Sequence, residues 1–135
     1  MRWGPDVLLD TSFLIDLMNG DPAAVEKAEK IERDLVQQRL SSMTLFELYY
    51  GVSRSEQSRK ERRQVEQVLA SKPVSPADTA VMRKAGALSG RLANEGSPVD
   101  DGDVIIAATA DILDEPVLTR NVADFERLGV DIESY

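Results

Sequence analysis

Four acidic residues, Asp10, Glu47, Asp103 and Asp124, stand at or within one turn of places where an apolar, strand-like run gives way to a helical pattern. In an open parallel sheet such junctions lie at the carboxyl ends of the strands, the edge where ligands bind. Helix N-termini point at the same edge and favour negative charge. Four carboxylates converging there repel one another and raise some of their pKa values, and a divalent cation relieves that repulsion. The chain contains no Cys and no His, which removes thiolate and Ser-His-Asp catalysis, imidazole acid–base work and Cys- or His-ligated metals. Donors made only of oxygen favour a hard ion such as Mg2+ or Mn2+. Water held by such an ion supplies both a nucleophile and a route for protons. The chemistry that fits is metal-assisted hydrolysis of a phosphodiester. Glu47 lies among Leu45, Phe46 and Leu48, so partial desolvation suits it to accept a proton; it is equally placed to ligate the metal.

Each acid also has a plain structural explanation. Asp10 suits the N-cap of a first helix. Thr44-x-x-Glu47 has the form of a capping box. Asp103 suits the N-cap of the helix it precedes, and Asn121-x-x-Asp124 reads as a cap followed by a first-turn acid. Other carboxylate-based α/β sites fit less well. A haloacid-dehalogenase pattern needs a second Asp where this chain has Ser12, and a receiver domain needs a Lys where Thr119-Arg120 follow Leu118. No phosphate-binding glycine motif is present.

The elements that must position these acids alternate. Val7-Leu8-Leu9 is a buried strand, and Phe13, Leu14, Leu17 and Met18 follow at helical spacing. Pro22 opens a helix expected to run to Gln38, with Ala24, Ala28, Ile31, Leu35 and Val36 inward. Arg39–Met43 reads as a strand. Helices are expected over Thr44–Ser53, with Leu45, Leu48, Tyr49 and Val52 inward, and over Glu56–Ser71, which is basic and amphipathic. Lys72–Ser75 is a weak strand. Pro76–Asn94 is a helix through Ala80, Val81, Ala85, Leu88 and Leu92, stopped by Gly96 and Pro98. Asp103–Leu113 is apolar on nearly all sides, as a central buried helix is. Glu115–Leu118 is a strand, Asn121–Arg127 a short helix and Gly129–Ile132 an edge strand. Strands alternating with helices imply a parallel sheet covered on both faces. The 135 residues carry no repeat, linker or low-complexity stretch, so one domain over residues 1–135 is expected.

Charge refines the picture. The net charge is −8, a poor electrostatic magnet for nucleic acid as a whole. Residues 100–135 alone carry net −8, whereas residues 54–72 carry net +3. That basic stripe, with Arg54, Arg59, Arg62 and Arg63, is either a solvated helix face or a hold for a phosphate backbone. Met1–Asp10 has one Arg and too short an apolar run for a targeting signal. The longest purely apolar run, Val104–Ala108, is far below the roughly 18 residues of a membrane span. A cytoplasmic protein with no membrane partner is expected.

Four segments together resemble the PIN-domain ribonucleases, and most closely the VapC-type toxins of toxin–antitoxin pairs. They are Val7-Leu8-Leu9-Asp10-Thr11-Ser12-Phe13-Leu14-Ile15-Asp16, Ser41-Ser42-Met43-Thr44-Leu45-Phe46-Glu47-Leu48-Tyr49-Tyr50-Gly51, Asp103-Val104-Ile105-Ile106-Ala107-Ala108-Thr109-Ala110 and Leu118-Thr119-Arg120-Asn121-Val122-Ala123-Asp124-Phe125. Each is short; their order and spacing make them specific, and they span essentially the whole chain.

The resemblance implies an α/β/α sandwich with a central parallel sheet of four to five short strands. It also implies an endoribonuclease dependent on Mg2+, with Mn2+ as a substitute, and a homodimer inhibited by a cognate antitoxin. Asp10 and Asp103 match the family's metal-binding Asp positions and Glu47 its Glu. Thr11 and Thr119 match positions that hydrogen-bond around the site. Where many relatives carry a fourth acid this chain has Asn121, with Asp124 the nearest carboxylate. The Arg54–Arg63 stripe is expected against RNA phosphates, or on an antitoxin or dimer surface. Two rival readings remain open: an inactive PIN-like RNA- or protein-binding module, and another metal-dependent phosphoesterase or DNA nuclease.

Overall fold

The computed structural model describes residues 6–135. Residues 1–5, part of the stretch read for a targeting signal, lie outside the described residues. The chain runs β1 (Val7–Leu9), α1 (Thr11–Met18), α2 (Pro22–Arg33), β2 (Gln38–Ser41), α3 (Ser42–Arg54) and α4 (Ser58–Leu69). It continues through β3 (Val74–Ser75), α5 (Thr79–Asn94), α6 (Asp101–Leu113), β4 (Val117–Leu118), α7 (Val122–Arg127) and β5 (Ile132–Glu133). The five strands form one sheet in the order β3-β2-β1-β4-β5, and every pairing is parallel. This is the expected parallel α/β/α arrangement. No helix among the described residues is long and apolar enough to cross a membrane.

β1 sits at the centre because its side chains are apolar on both faces, as a doubly covered parallel strand requires. Successive residues point to opposite faces. Leu8 packs into a core with Ile106, Ala107, Val117 and Phe125, and Val7 and Leu9 into a second core with Phe13, Leu14, Leu40 and Leu48. The alanines of α6 let that helix lie deep against the sheet: Ala107, Ala108 and Ala110 are buried. Tyr135 closes the second core, its ring edge-on to Phe13 at 5.0 Å and its hydroxyl donating to Asp16 Oδ2 at 2.6 Å.

The register aligns the strand ends. Leu9 pairs with Leu40 on one side and Leu118 on the other, so Asp10, Ser41 and Thr119 emerge in one row. The chain builds outward from β1 through β2 and β3, then returns to its other side with β4 and β5. Between β1 and β4 is therefore the topological switch point, where such sheets bind ligands.

Several boundaries differ from the sequence reading. Helix α2 stops at Arg33 rather than Gln38. Val36 N–H bonds Ile31 O and Leu35 N–H bonds Glu32 O, a Schellman closure. This puts Leu35 in the left-handed region at φ 57° and leaves it 80% exposed, not inward. Val36, the following residue, makes the apolar contact instead. Strand β2 ends at Ser41 rather than Met43, because Ser41 Oγ accepts Met43 N–H at 3.1 Å and starts α3 early. Helix α5 begins at Thr79, where the Asp78 side chain accepts Val81 N–H. Ala80 and Tyr49, both expected inward, are exposed.

The Schellman position at Leu35 is one that Gly fills at Gly20 and Gly96, each with φ 74°. A left-handed conformation costs a non-glycine residue roughly 1–2 kcal/mol, of which glycine's greater unfolded-state freedom returns part. Leu35→Gly is accordingly expected to raise the unfolding free energy by about 0.5–1 kcal/mol, measured by urea denaturation. A fall in stability would show that the leucine side chain, not its backbone, matters at this turn.

Candidate functional site

Asp10 directly follows β1 and is almost fully buried, at 2% exposure. Its backbone continues the ladder, Asp10 N–H bonding Leu118 O at 2.9 Å. It occupies the N-cap position of α1, but its side chain caps nothing. Asp10 Oδ2 instead accepts Ser12 Oγ at 2.6 Å and Thr119 Oγ1 at 2.8 Å. Both hydroxyls are themselves held: Ser12 Oγ accepts Arg120 N–H at 3.2 Å, and Thr119 Oγ1 accepts Asn121 N–H at 2.8 Å. The carboxylate is thus fixed from β4, and Oδ1 carries no hydrogen bond from the described residues.

Glu47 projects from α3. The capping box expected at Thr44 does not form, because Ser41 is the cap. Thr44 is fully buried inside the helix. Its hydroxyl lies 3.1 Å from Thr11 Oγ1, which in turn is 2.7 Å from Glu47 Oε1. Thr11 is the donor to both, its single proton shared between Thr44 Oγ1 and the carboxylate. The other oxygen, Glu47 Oε2, reaches the start of α6: a Cβ placed on Gly102 would lie 2.9 Å from it and 3.0 Å from Asp100 Oδ2. Burial is the main cause raising the Glu47 pKa; Thr11 opposes it, and Asp10 and Asp100 add to it.

Asp103 is not the N-cap of α6, as the sequence allowed. Asp100 takes that role, accepting Gly102 N–H at 3.1 Å. Asp103 therefore points its half-buried carboxyl elsewhere in the first turn, where burial first, then Asp10, Asp100, Asp124 and Glu47, push its pKa up to about 7. Among the described residues every charge acting on Asp103 is negative. Asp124, half-buried in α7, is close enough to join that set, and Asn121 at the start of α7 makes no side-chain cap. Asp10, Glu47 and Asp124 thus all act on Asp103, and the cap readings do not hold: hydroxyl partners take Asp10 and Glu47, Asp100 caps in place of Asp103, and Asn121 caps nothing.

Among the described residues no three acids already stand in a metal-coordinating arrangement. The donor set nevertheless fits a hard divalent cation: it is all oxygen, at least half-buried, and has no cationic side chain among the described residues offsetting the repulsion at Asp103. The chain's cavities are less informative. One of about 250 Å3 opens beside Glu47, lined also by Ile15, Met18, Gly51 and Gln64. A roomier one of about 600 Å3, lined by Glu32, Arg39 and Lys72, lies at the opposite edge of the sheet, where β2 begins.

Arg54, Arg59, Arg62 and Arg63 do not reach the carboxylate network. They stand exposed at the end of α3 and along α4, with no ion pair among the described residues. Sequence reasoning missed Ser12, Thr44 and Gly102. The hydroxyl pair Thr11-Ser12 directly after a strand was the signal available for the first. Nothing marked Thr44 as other than a cap, or Gly102 as a close approach to Glu47.

The sequence pattern of the PIN domain matches residues 7–130. The chain is 30% identical over 122 residues to the tRNA(fMet)-specific endonuclease VapC of Shigella flexneri, covering 90% of this chain and 91% of that protein. Its fold superposes on DNA-bound VapBC from Salmonella typhimurium with a TM-score of 0.86 at 30% identity, over 97% of this chain and 98% of that one. A Mycobacterium tuberculosis member of the VapBC family of toxin-antitoxin systems matches at TM-score 0.68 and 26% identity, over 96% and 98% of the two chains.

The raised Asp103 pKa sets a pH dependence. Folded Asp103 holds its proton to about pH 7, whereas the unfolded residue releases it near 3.8. Between those values the folded state binds more protons, so this contribution to stability is full below pH 4 and lost as pH rises through 7. Asp103→Asn keeps the neutral state at all pH values. In EDTA its melting temperature should match wild type near pH 4 and exceed it at pH 8. Equal melting temperatures at pH 8 would remove the case for a repelled carboxylate there.

Proposed function

The chain belongs to the PIN domain family, and from that membership we propose that it is a VapC-type endoribonuclease, the toxin half of a toxin–antitoxin pair, with residues 1–135 working as one nuclease unit. PIN-domain nucleases are generally dependent on divalent metal. Here we assign Asp10, Asp103 and Asp124 as the residues that hold Mg2+, or Mn2+ in its place, with Asn121 beside them. The observation that carries the reading is the convergence of carboxylates on Asp103 with no compensating cation among the described residues.

The reaction is hydrolysis of an RNA phosphodiester: a water oxygen bonds to phosphorus and the bond to the leaving ribose oxygen breaks. The cation supplies activation of that water and neutralisation of charge on the phosphate. The protein's part is placement. Ser12 and Thr119 fix Asp10 through one oxygen and leave the other for the ion. Thr11 fixes Glu47 through Oε1, leaving Oε2 to ligate or to take the proton the water gives up. Burial and neighbouring charge raise the pKa of Glu47, which makes it a better proton acceptor at neutral pH than an exposed carboxylate. Arg54, Arg59, Arg62 and Arg63 are assigned to phosphates of the substrate or to the antitoxin. A homodimer acting in the cytoplasm completes the proposal.

Asp10→Asn is expected to abolish RNA cleavage with the fold intact by circular dichroism, and EDTA to stop wild-type cleavage until Mg2+ or Mn2+ is restored. Thr119→Val, which removes an orienting hydroxyl, should cost about 10–100-fold in activity or metal affinity. An Asp10→Asn chain that cuts RNA as fast as wild type under the same Mg2+ would overturn the assignment.

A further inference from the structure

Helix α3 carries a feature that the carboxylate site does not use. Phe46 and Tyr50 are 63% and 60% exposed, with rings inclined by only 23° and centroids 6.4 Å apart. Spaced by four residues, they share one helix face. Arg54 continues that stripe one turn on, and Glu47 falls in the same arc, directly after Phe46. Gly51, one turn beyond Glu47, leaves the surface bare: a Cβ there would meet nothing within 4 Å. Glu47 and Gly51 thus line one cavity with residues of α1 and α4, and Phe46, Tyr50 and Arg54 follow one another along the adjoining face of α3.

Single exposed apolar residues are ordinary. A parallel aromatic pair beside a phosphodiester site is different, because unpaired RNA bases stack on such faces. The charge agrees. In a chain of net −8, the stretch 54–72 is net positive, and Arg54, Arg59, Arg62 and Arg63 are exposed and unpaired among the described residues. A polyanion is complementary to this side of the molecule.

We propose that Phe46 and Tyr50 form a stacking platform for unpaired bases flanking the scissile phosphate, with Arg54 meeting the backbone of the same RNA strand. This rests on the ribonuclease reading and adds a substrate requirement to it: the strand must be unpaired beside the cut. The platform reads a base's flat face rather than its edge, so it demands a base without choosing which one.

The test uses the full chain, a single-stranded RNA that it cuts, and the same RNA with an abasic nucleotide next to the cut. Stacking on an aromatic side chain changes binding by roughly 5- to 150-fold per base. Wild type should show a KM higher by that factor on the abasic RNA. Phe46→Leu/Tyr50→Leu, which keeps apolar bulk but removes the rings, should show it already on intact RNA, with little further loss on the abasic one and kcat changed less than threefold. Phe46→Trp/Tyr50→Trp should restore the wild-type KM. A leucine variant with wild-type KM on intact RNA overturns the platform. So does one whose sedimentation shows a lost dimer, or whose antitoxin binding fails while KM holds, since the face would then belong to a protein interface. A wild-type chain that cuts no RNA overturns the ribonuclease reading itself, before any variant is made.

Discussion

Negative charge crowded into a half-buried space is the constraint around which this molecule is arranged. Asp10, Glu47, Asp103 and Asp124 come from four separate segments, and each must be held against the repulsion of the others. Among the described residues, neutral hydroxyls hold Asp10 and Glu47. Ser12 and Thr119 grip Asp10, and Thr11, bonded also to Thr44, grips Glu47. A lysine or arginine in those places would orient the acids more strongly but would also cancel the field that attracts a cation. Hydroxyls orient without neutralising, and the site retains its charge for a ligand.

The sheet makes that crowding possible. Parallel strands deliver their carboxyl ends to one edge, and the register sets Asp10, Ser41 and Thr119 in one row. The two cores on either face of β1 fix the helices that bring Glu47 and Asp103 to the same edge. Helix α6 contributes through its small residues. Its alanines let it sink against the sheet, and Gly102 lets the Glu47 carboxylate approach its first turn closer than a side chain would allow. The catalytic edge and the hydrophobic packing are therefore one design problem, since moving α6 outward by a methyl layer would separate the acids.

Much of the fold was readable from periodicity. The strand–helix alternation, the buried character of Val7–Leu9 and of α6, and the parallel class all followed from where apolar residues recur. Boundaries failed where local hydrogen bonding outweighed that pattern. Leu35 fits an apolar helical face, yet a Schellman closure turns it into solvent. Met43 fits a strand, yet Ser41 caps a helix before it. At the site, residue types and junction positions singled out the acids, but cap and chemistry predict the same residues at the same places. Only the partners separate them: two are remote, Thr119 for Asp10 and Thr11 for Glu47, while Asp100, three residues before Asp103, takes the cap that Asp103 would otherwise fill. Sheet order belongs to the same class of information, since nothing local in β1 says which strands will flank it.

The bond between Thr119 and Asp10 joins residues 109 apart, and β1 pairs with both the second strand and the fourth. Long-range parallel pairing forms late, because its loop-closure cost falls due before its contacts exist, and synthesis releases the N-terminal segments first. A growing chain therefore carries Asp10 and Glu47 long before the strand that organises them has emerged. A nascent chain cannot assemble the site before β4 has been made.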